Sequence, residues 1–299
     1  MELDVLCIGH ASYDLILSVD HHPEADEKCL SSGFICAGGG PAANAAVTVA
    51  RLGGKAAFAG YLGSDHFGDL HLAELRSEGV LDDYILRGDS PTPLSAILVK
   101  PDGRRTVVTY KAGTPALASG QIDLSAARPK AFLFDGHEPA ISTPIAREAR
   151  MHGTVTVLDA GSVHPGTVQL AQLCDYVIAS EKFARGYCRE EDSLGAARCL
   201  AEICPVAVVT LGAGGLVWAS GDVSGELPAF PVKAVDTTGA GDIFHGAFAL
   251  RKARGDDLHS ALRYASAAAA IGCTVKGART GIPRQEDVQE FLSRFSGRI

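Results

Sequence analysis

Asp236-Thr237-Thr238-Gly239-Ala240-Gly241-Asp242-Ile243-Phe244-His245-Gly246-Ala247-Phe248-Ala249-Leu250 is the stretch on which the reading of this chain turns. A run of Thr and Gly opens directly into an Ala-rich segment of helical composition, so the amides of Gly239, Ala240 and Gly241 fall where a helix start leaves its donors unpaired. The positive end of the helix dipole points the same way, which suits an anionic oxygen. The two glycines let a ligand approach the backbone with no Cβ between them. Asp242 lies in the first turn beside that anion, where a carboxylate can accept the proton of an attacking hydroxyl. Taken alone, the same residues also read as a tight turn followed by a helix-start acid.

A second glycine-rich stretch lies near the N-terminus, Gly38-Gly39-Gly40-Pro41-Ala42-Ala43-Asn44-Ala45-Ala46-Val47, followed by Ala50-Arg51-Leu52-Gly53. In this order the two stretches resemble the paired signatures of the ribokinase (PfkB) family of carbohydrate kinases. Residues 9–14, Gly60-Tyr61-Leu62-Gly63-Ser64-Asp65 with Gly68, and Thr210-Leu211-Gly212-Ala213-Gly214-Gly215 extend the resemblance over nearly the whole chain. It implies a ribokinase-like three-layer α/β/α fold with a mainly parallel central sheet and a small β-sheet lid.

Composition agrees. A chain of 299 residues, 46% hydrophobic, is long enough for one large α/β core, and a single domain over 1–299 is expected. A net charge of −8 without long Lys/Arg runs argues against nucleic acid or an anionic membrane as partner. Met1-Glu2-Leu3-Asp4 is acidic where a signal peptide would be basic, so the expected location is cytoplasmic. The eight cysteines form no Cys-x-x-Cys pair, and most are expected to be buried free thiols. Neither His21-His22 nor the His66/His71 pair has the helical spacing of a zinc motif.

Along the chain, short β-rich runs at 5–8, 56–59, 131–134, 155–158, 176–178 and 206–209 alternate with helical patterns, the pattern of a parallel sheet with helices on both faces. Helices are expected over 41–52, 67–78, 240–254, 258–271 and 284–295. No internal repeat, low-complexity tract or linker interrupts them. Two segments, about 12–36 and 92–110, instead read as strands joined by turns, with Pro101-Asp102-Gly103-Arg104 between the second pair. They form either edge strands of the main sheet or a separate sheet, which the resemblance makes a lid over the sugar and a surface for homodimerisation.

The resemblance carries over residue by residue. It makes Asp242 the general base and Gly239, Ala240 and Gly241 the anion hole. Asp14 and Asn44 match its sugar-hydroxyl ligands, with Gly39 and Gly40 beside them; by residue type alone they also serve as a turn residue and a helix cap. Glu138 follows a strand and is placed toward the sugar by position only. Thr210, Gly212 and Gly215 match the nucleotide-lining strand end. No Walker-type phosphate loop occurs. Magnesium is therefore expected to arrive with ATP. Asp236 and Thr238 match a monovalent-cation loop, for potassium, that also uses carbonyls of the 272–281 region.

Three positions depart from the family pattern. Ser180-Glu181-Lys182-Phe183 stands where many members have Asn-x-x-Glu, Gly281 where ribokinases often supply a serine oxygen, and Pro41 where they carry a lysine. The run Gly38-Gly39-Gly40-Pro41-Ala42-Ala43, Ser180-Glu181 after the strand at Ile178, and Gly277-Ala278-Arg279-Thr280-Gly281-Ile282-Pro283 look more like ketose-type members, including sulfofructose kinases. The leading expectation is an ATP-dependent kinase acting on a primary hydroxyl of a fructose-like ketose. Lys28, Arg104, Arg105 and Lys111, in or beside the lid strands, leave an anionic sugar open. A nucleoside kinase is the nearest rival, and a non-catalytic sugar or nucleotide sensor is the alternative from another class.

Overall fold

The computed structural model describes residues 1–111 and 113–295. From the N-terminus, β1 (Glu2–Ile8), β2 (Ser12–Ser18) and β3 (Gly33–Gly39) lead into α1 (Pro41–Arg51), followed by β4 (Ala56–Gly63), α2 (His66–Ser77), β5 (Ile85–Gly88), β6 (Leu94–Val99), β7 (Arg105–Tyr110) and β8 (Arg128–Phe134). Then come α3 (Pro139–His152), β9 (Val155–Ala160), α4 (Pro165–Ala171), β10 (Tyr176–Ser180), α5 (Glu181–Cys188), α6 (Ser193–Ala201), β11 (Val206–Thr210), β12 (Leu216–Ser220), β13 (Val223–Leu227), α7 (Ala240–Ala253), α8 (Leu258–Gly272) and α9 (Gln285–Ser293).

Nine strands form one sheet in the order β13-β12-β11-β10-β9-β8-β1-β4-β5. All neighbours from β11 to β5 are parallel, and the β12–β13 hairpin closes one edge antiparallel. Strand periodicity divides the core between the two faces. Val5, Cys7, Phe58, Leu133, Val157 and Ile178 pack with α1, α7 and α8, while Leu6, Ile8, Ala57, Phe134, Leu158 and Val177 pack with α3 to α6.

The helices start where the sequence places their signals. Pro41 is the first residue of α1 and Asp65 caps α2 by accepting from the Gly68 amide at 2.8 Å. Gly40, with φ 93°, precedes α1, and a Cβ there would lie 2.5 Å from the His10 carbonyl oxygen. Only glycine allows that close turn.

The two turn-rich segments do not join the main sheet. They form a separate four-stranded sheet, β3-β2-β6-β7, with β2 and β6 parallel and both outer pairs antiparallel. Its strands run longer than the sequence suggests: β2 begins at Ser12, so Asp14 lies within it rather than after the first strand, and β3 continues to Gly39. The β12–β13 hairpin, β5 and α3 to α6 lie between the elements that periodicity marked. Of the eight cysteines, all free, only Cys7, Cys174 and Cys204 are buried, because Cys29 and Cys36 fall in the exposed small sheet and its loop and the others border helices. No described helix is long and apolar enough to cross a membrane.

Asp135, just past β8, holds the neighbouring turns together. Its carboxylate accepts from the amides of His10 (2.7 Å), Ala42 (3.3 Å) and His137 (2.9 Å), joining the end of β1, the start of α1 and the loop before α3. Asp135→Ala strands those donors and is expected to destabilise the fold by about 2–4 kcal/mol. Urea unfolding measures this; an unchanged midpoint would mean the amides find other partners.

Candidate active site

The carboxyl ends of β8 to β11 open onto a cleft of about 260 Å³. Asp135, Asp159, Ser180 and Thr210 line it from the strands, Thr237, Gly239, Gly241, Asp242 and His245 from the turn and start of α7, Pro41 from α1 and Arg105 from β7. Open parallel sheets place ligands at this position.

Gly239 caps α7 at φ 76°, and a Cβ there would sit 2.7 Å from the Ala278 Cβ. At Gly241 a Cβ would meet nothing closer than the His245 ring, 3.8 Å away. Glycine at 239 is thus required by the fold, whereas Gly241 leaves a gap on the cleft side. The amides of Gly239 and Gly241 have no partner among the described residues, as the sequence suggests. That of Ala240 differs: it turns back to the Thr237 carbonyl at 3.3 Å, as the first turn tightens.

Asp242, the third residue of α7, accepts from Asn44 Nδ2 at 2.7 Å. Its carboxylate borders the cleft but is packed on its other sides. Burial, reinforced by the Asp159 charge and opposed by the Asn44 hydrogen bond, pushes its pKa up to about 7. Burial pushes Asp159 up to about 8. His245 is held below the usual imidazole range by burial; its Nε2 lies 3.3 Å from the Ile178 carbonyl and its Nδ1 3.4 Å from Asp159.

Asp14 is buried in β2, accepts from Ser12 Oγ at 2.8 Å and is raised in pKa by burial, with Ser12 and Ser95 opposing. A Cβ on Gly39 would lie 2.1 Å from its Oδ2, so the glycine makes room for the carboxylate. Glu138 is already engaged: it accepts from the Leu117 amide at 2.7 Å and lies 3.6 Å from Lys111 Nζ. Asp236 likewise accepts from the Thr238 amide and hydroxyl (2.9 and 2.7 Å) and from the Gly277 amide (2.9 Å), knotting two loops. Thr210 reaches the cleft, but Gly212 and Gly215 are not among its lining residues. Gly215, at φ 87°, packs where a Cβ would lie 2.1 Å from the Leu227 carbonyl oxygen, so it serves the β12–β13 hairpin.

The family model described as pfkB family carbohydrate kinase matches residues 2–285. The chain belongs to the PfkB family of carbohydrate kinases. It is 30% identical to ribokinase of Bacillus subtilis (strain 168), covering 97% of this chain and 99% of that protein. It is 29% identical to fructokinase-1 of Oryza sativa subsp. japonica, covering 87% and 89%. The structure of Arabidopsis thaliana ribokinase complexed with ribose and ATP superposes with a TM-score of 0.85 at 26% identity, covering 98% of this chain and 99% of that one. Like other PfkB members, the chain is an ATP-binding phosphotransferase of the sugar-kinase type with a ribokinase-like fold.

Several site residues were missed from sequence. Asp135 and Asp159 each close an apolar strand run at the sheet's carboxyl end, a signal present in Phe134-Asp135 and Leu158-Asp159. Arg279 belongs to the 277–283 stretch already singled out, but nothing in its residue type or spacing marks it as a buried partner of Asn44.

A carboxylate whose native pKa is raised costs stability as pH climbs from its unfolded value through its native one. For Asp159 that window runs from about pH 4 to about pH 8. Asp159→Asn should therefore gain on wild type in thermal midpoint between pH 5 and pH 8, by at least about 2 °C, the scale on which 1 kcal/mol registers in a large domain. A gap independent of pH would contradict it.

Proposed function

We propose that the protein transfers the γ-phosphate of ATP to a primary hydroxyl of a small sugar, a fructose-like ketose being the leading acceptor. The observation that carries this reading is Asp242, held by Asn44 at the start of α7 beside the unpaired amides of Gly239 and Gly241. ATP enters beside Thr210 with its phosphates on those amides, and the sugar rests on Asp14 and Asn44 above Gly39 and Gly40. Asp242 accepts the hydroxyl proton as the acceptor oxygen bonds to the γ-phosphorus and the bond to the departing ADP oxygen breaks. The charge spread over the equatorial oxygens meets the amides and the helix dipole.

Magnesium supplies charge neutralisation on the phosphates when bound. Ser180 Oγ donates to the Gly161 carbonyl at 2.8 Å and caps α5, and Glu181 pairs with Arg185 at 2.8 Å. Among the described residues no group of three or more His, Cys, Asp or Glu could hold a metal. In this reading the cation comes with ATP and keeps most of its waters. Potassium would rest against carbonyls of the loop that Asp236 and Thr238 shape.

The small sheet acts as a lid: Arg105 of β7 already spans to the Thr237 hydroxyl at 3.3 Å. Its outer side exposes Phe34 (62%), Val108 (66%) and Tyr110, an apolar surface that two copies would cover by pairing. For the acceptor, Pro41 lines the cleft where ribokinases carry a cation, which favours a ketose over ribose. Tyr13 packs against Phe67 and His71 at centroid distances of 5.5 and 6.5 Å and offers no free face to a nucleobase.

Asp242→Asn should lose about two to four orders of magnitude in turnover while keeping ADP affinity by calorimetry; near-wild-type turnover would remove Asp242 from the chemistry. An ADP-release assay over ketoses, aldoses, sugar acids and nucleosides should give fructose-like ketoses the highest kcat/KM. A nucleoside favoured by tenfold, about 1.4 kcal/mol, would overturn the choice. In sedimentation, Phe34→Glu/Val108→Lys should convert a dimer into a monomer; a wild type that sediments as a monomer at micromolar concentration excludes the lid dimer.

A further inference from the structure

Arg279 is a guanidinium only 3% exposed, in the loop between α8 and α9. Burying such a charge is costly unless its donors are used. The loop is pinned from two sides, by the Gly277 amide on Asp236 and by Arg51 Nη1, which donates to the carbonyls of Arg279 and Ile282 at 2.9 Å each. The side chain then runs inward between α1 and α2. Its Nε donates to Asn44 Oδ1 at 3.2 Å, its Nη2 lies 3.3 Å from His71 Nε2, and its Nη1 lies 3.5 Å from Glu74 Oε1. Burial, with the Arg279 charge adding, holds His71 neutral, so its Nε2 is free to accept.

A carboxamide can present either end, and Asn44 stands between a group that only donates and one that, when ionised, only accepts. Arg279 fixes Oδ1 on its own side; Nδ2 is then turned to Asp242. We propose that Arg279 is a positioning residue that locks the Asn44 amide so that it donates to Asp242 and favours the ionised, proton-accepting carboxylate. This rests on the reading of Asp242 as base. Freed from Arg279, the amide can turn over and set an oxygen against the carboxylate. The other charged groups facing Asp242 are Asp159 of β9, Asp14 of β2 and His245 of its own helix. Those facing Arg279 are Glu74 and Glu78 from the α2 side, Arg51 of α1 and Asp14. None of them touches the Asn44 amide oxygen among the described residues.

The test compares Arg279→Met and Arg279→Lys, each in wild type and in Asn44→Ala, by the pH profile of kcat/KM for the best acceptor, the KM for ATP and the thermal midpoint. Arg279→Met should move the acid limb up by about one unit, a loss of about tenfold below the limb that recovers at alkaline pH, with the KM for ATP unchanged. Arg279→Lys, still only a donor, should leave the limb in place. In Asn44→Ala the Met substitution should move it no further, because an effect routed through Asn44 is not additive. A pH-independent loss with an unmoved limb, or the same shift in Asn44→Ala, would overturn the inference as a structural or direct charge effect. If the Met variant does not fold, Arg279→Gln, which can present either end, should shift the limb part-way where Lys does not; equal limbs for Gln and Lys would count against it. Asp242→Asn run alongside separates the failures: if it stays active the base assignment falls, and if it is inactive while the limb is unmoved only the role of Arg279 falls.

Discussion

The 2.7 Å hydrogen bond from Asn44 to Asp242 joins α1 to α7 across 198 positions of sequence, and the geometry of the cleft depends on it. It can form only because the two helices approach closely. A Cβ on Gly246 would lie 2.6 Å from the Ala45 carbonyl oxygen, so that single glycine sets the contact, and the alanines of α1 keep it close. Both helices begin at a glycine in a positive-φ conformation, Gly40 and Gly239. Their positive ends therefore converge on one site, where backbone donors face the space that anionic groups would fill.

That convergence gathers carboxylates as well as dipoles. Burial raises Asp14, Asp159 and Asp242; the Asp135 charge adds to the rise of Asp159, and the charges of Asp159 and Asp14 add to that of Asp242. Each of the four carboxylates is answered differently. Asp135 is satisfied by backbone amides, Asp14 by serine hydroxyls, Asp242 by the Asn44 amide, and Asp159 by the Gly161 backbone with the His245 ring 3.4 Å away. The two whose rise is largest, Asp159 and Asp242, both border the cleft, where an incoming cationic or hydrogen-bonding ligand would relieve them. The site is thus tuned by burial rather than by permanent ion pairs.

Much of this was readable in the sequence because it rests on local rules. Gly-Ala-Gly-Asp before an Ala-rich run marks a helix start, Pro41 and Gly53 bracket α1, and the β-rich runs find the parallel core. What escaped was decided by tertiary context. The β12–β13 hairpin is an exception, since its two-residue Gly221-Asp222 turn is a local signal; the glycine at 215, by contrast, reads equally as a ligand turn or as packing against β13. The Ala240 amide is spent within its own turn, a detail of tightening that composition does not report. Arg279 and Glu138 look like loop charges in sequence, yet both are buried and serve partners far along the chain. Long-range pairing of polar groups leaves no periodicity to detect.

The most direct test is a crystal structure with fructose and a non-hydrolysable ATP analogue. The phosphates are expected on the amides of Gly239 and Gly241, with one sugar hydroxyl oxygen within hydrogen-bond reach, about 2.6–3.2 Å, of the Asp242 carboxylate and on the line to the γ-phosphorus. A sugar hydroxyl held away from Asp242, or phosphates seated elsewhere than at the start of α7, would contradict the assignment.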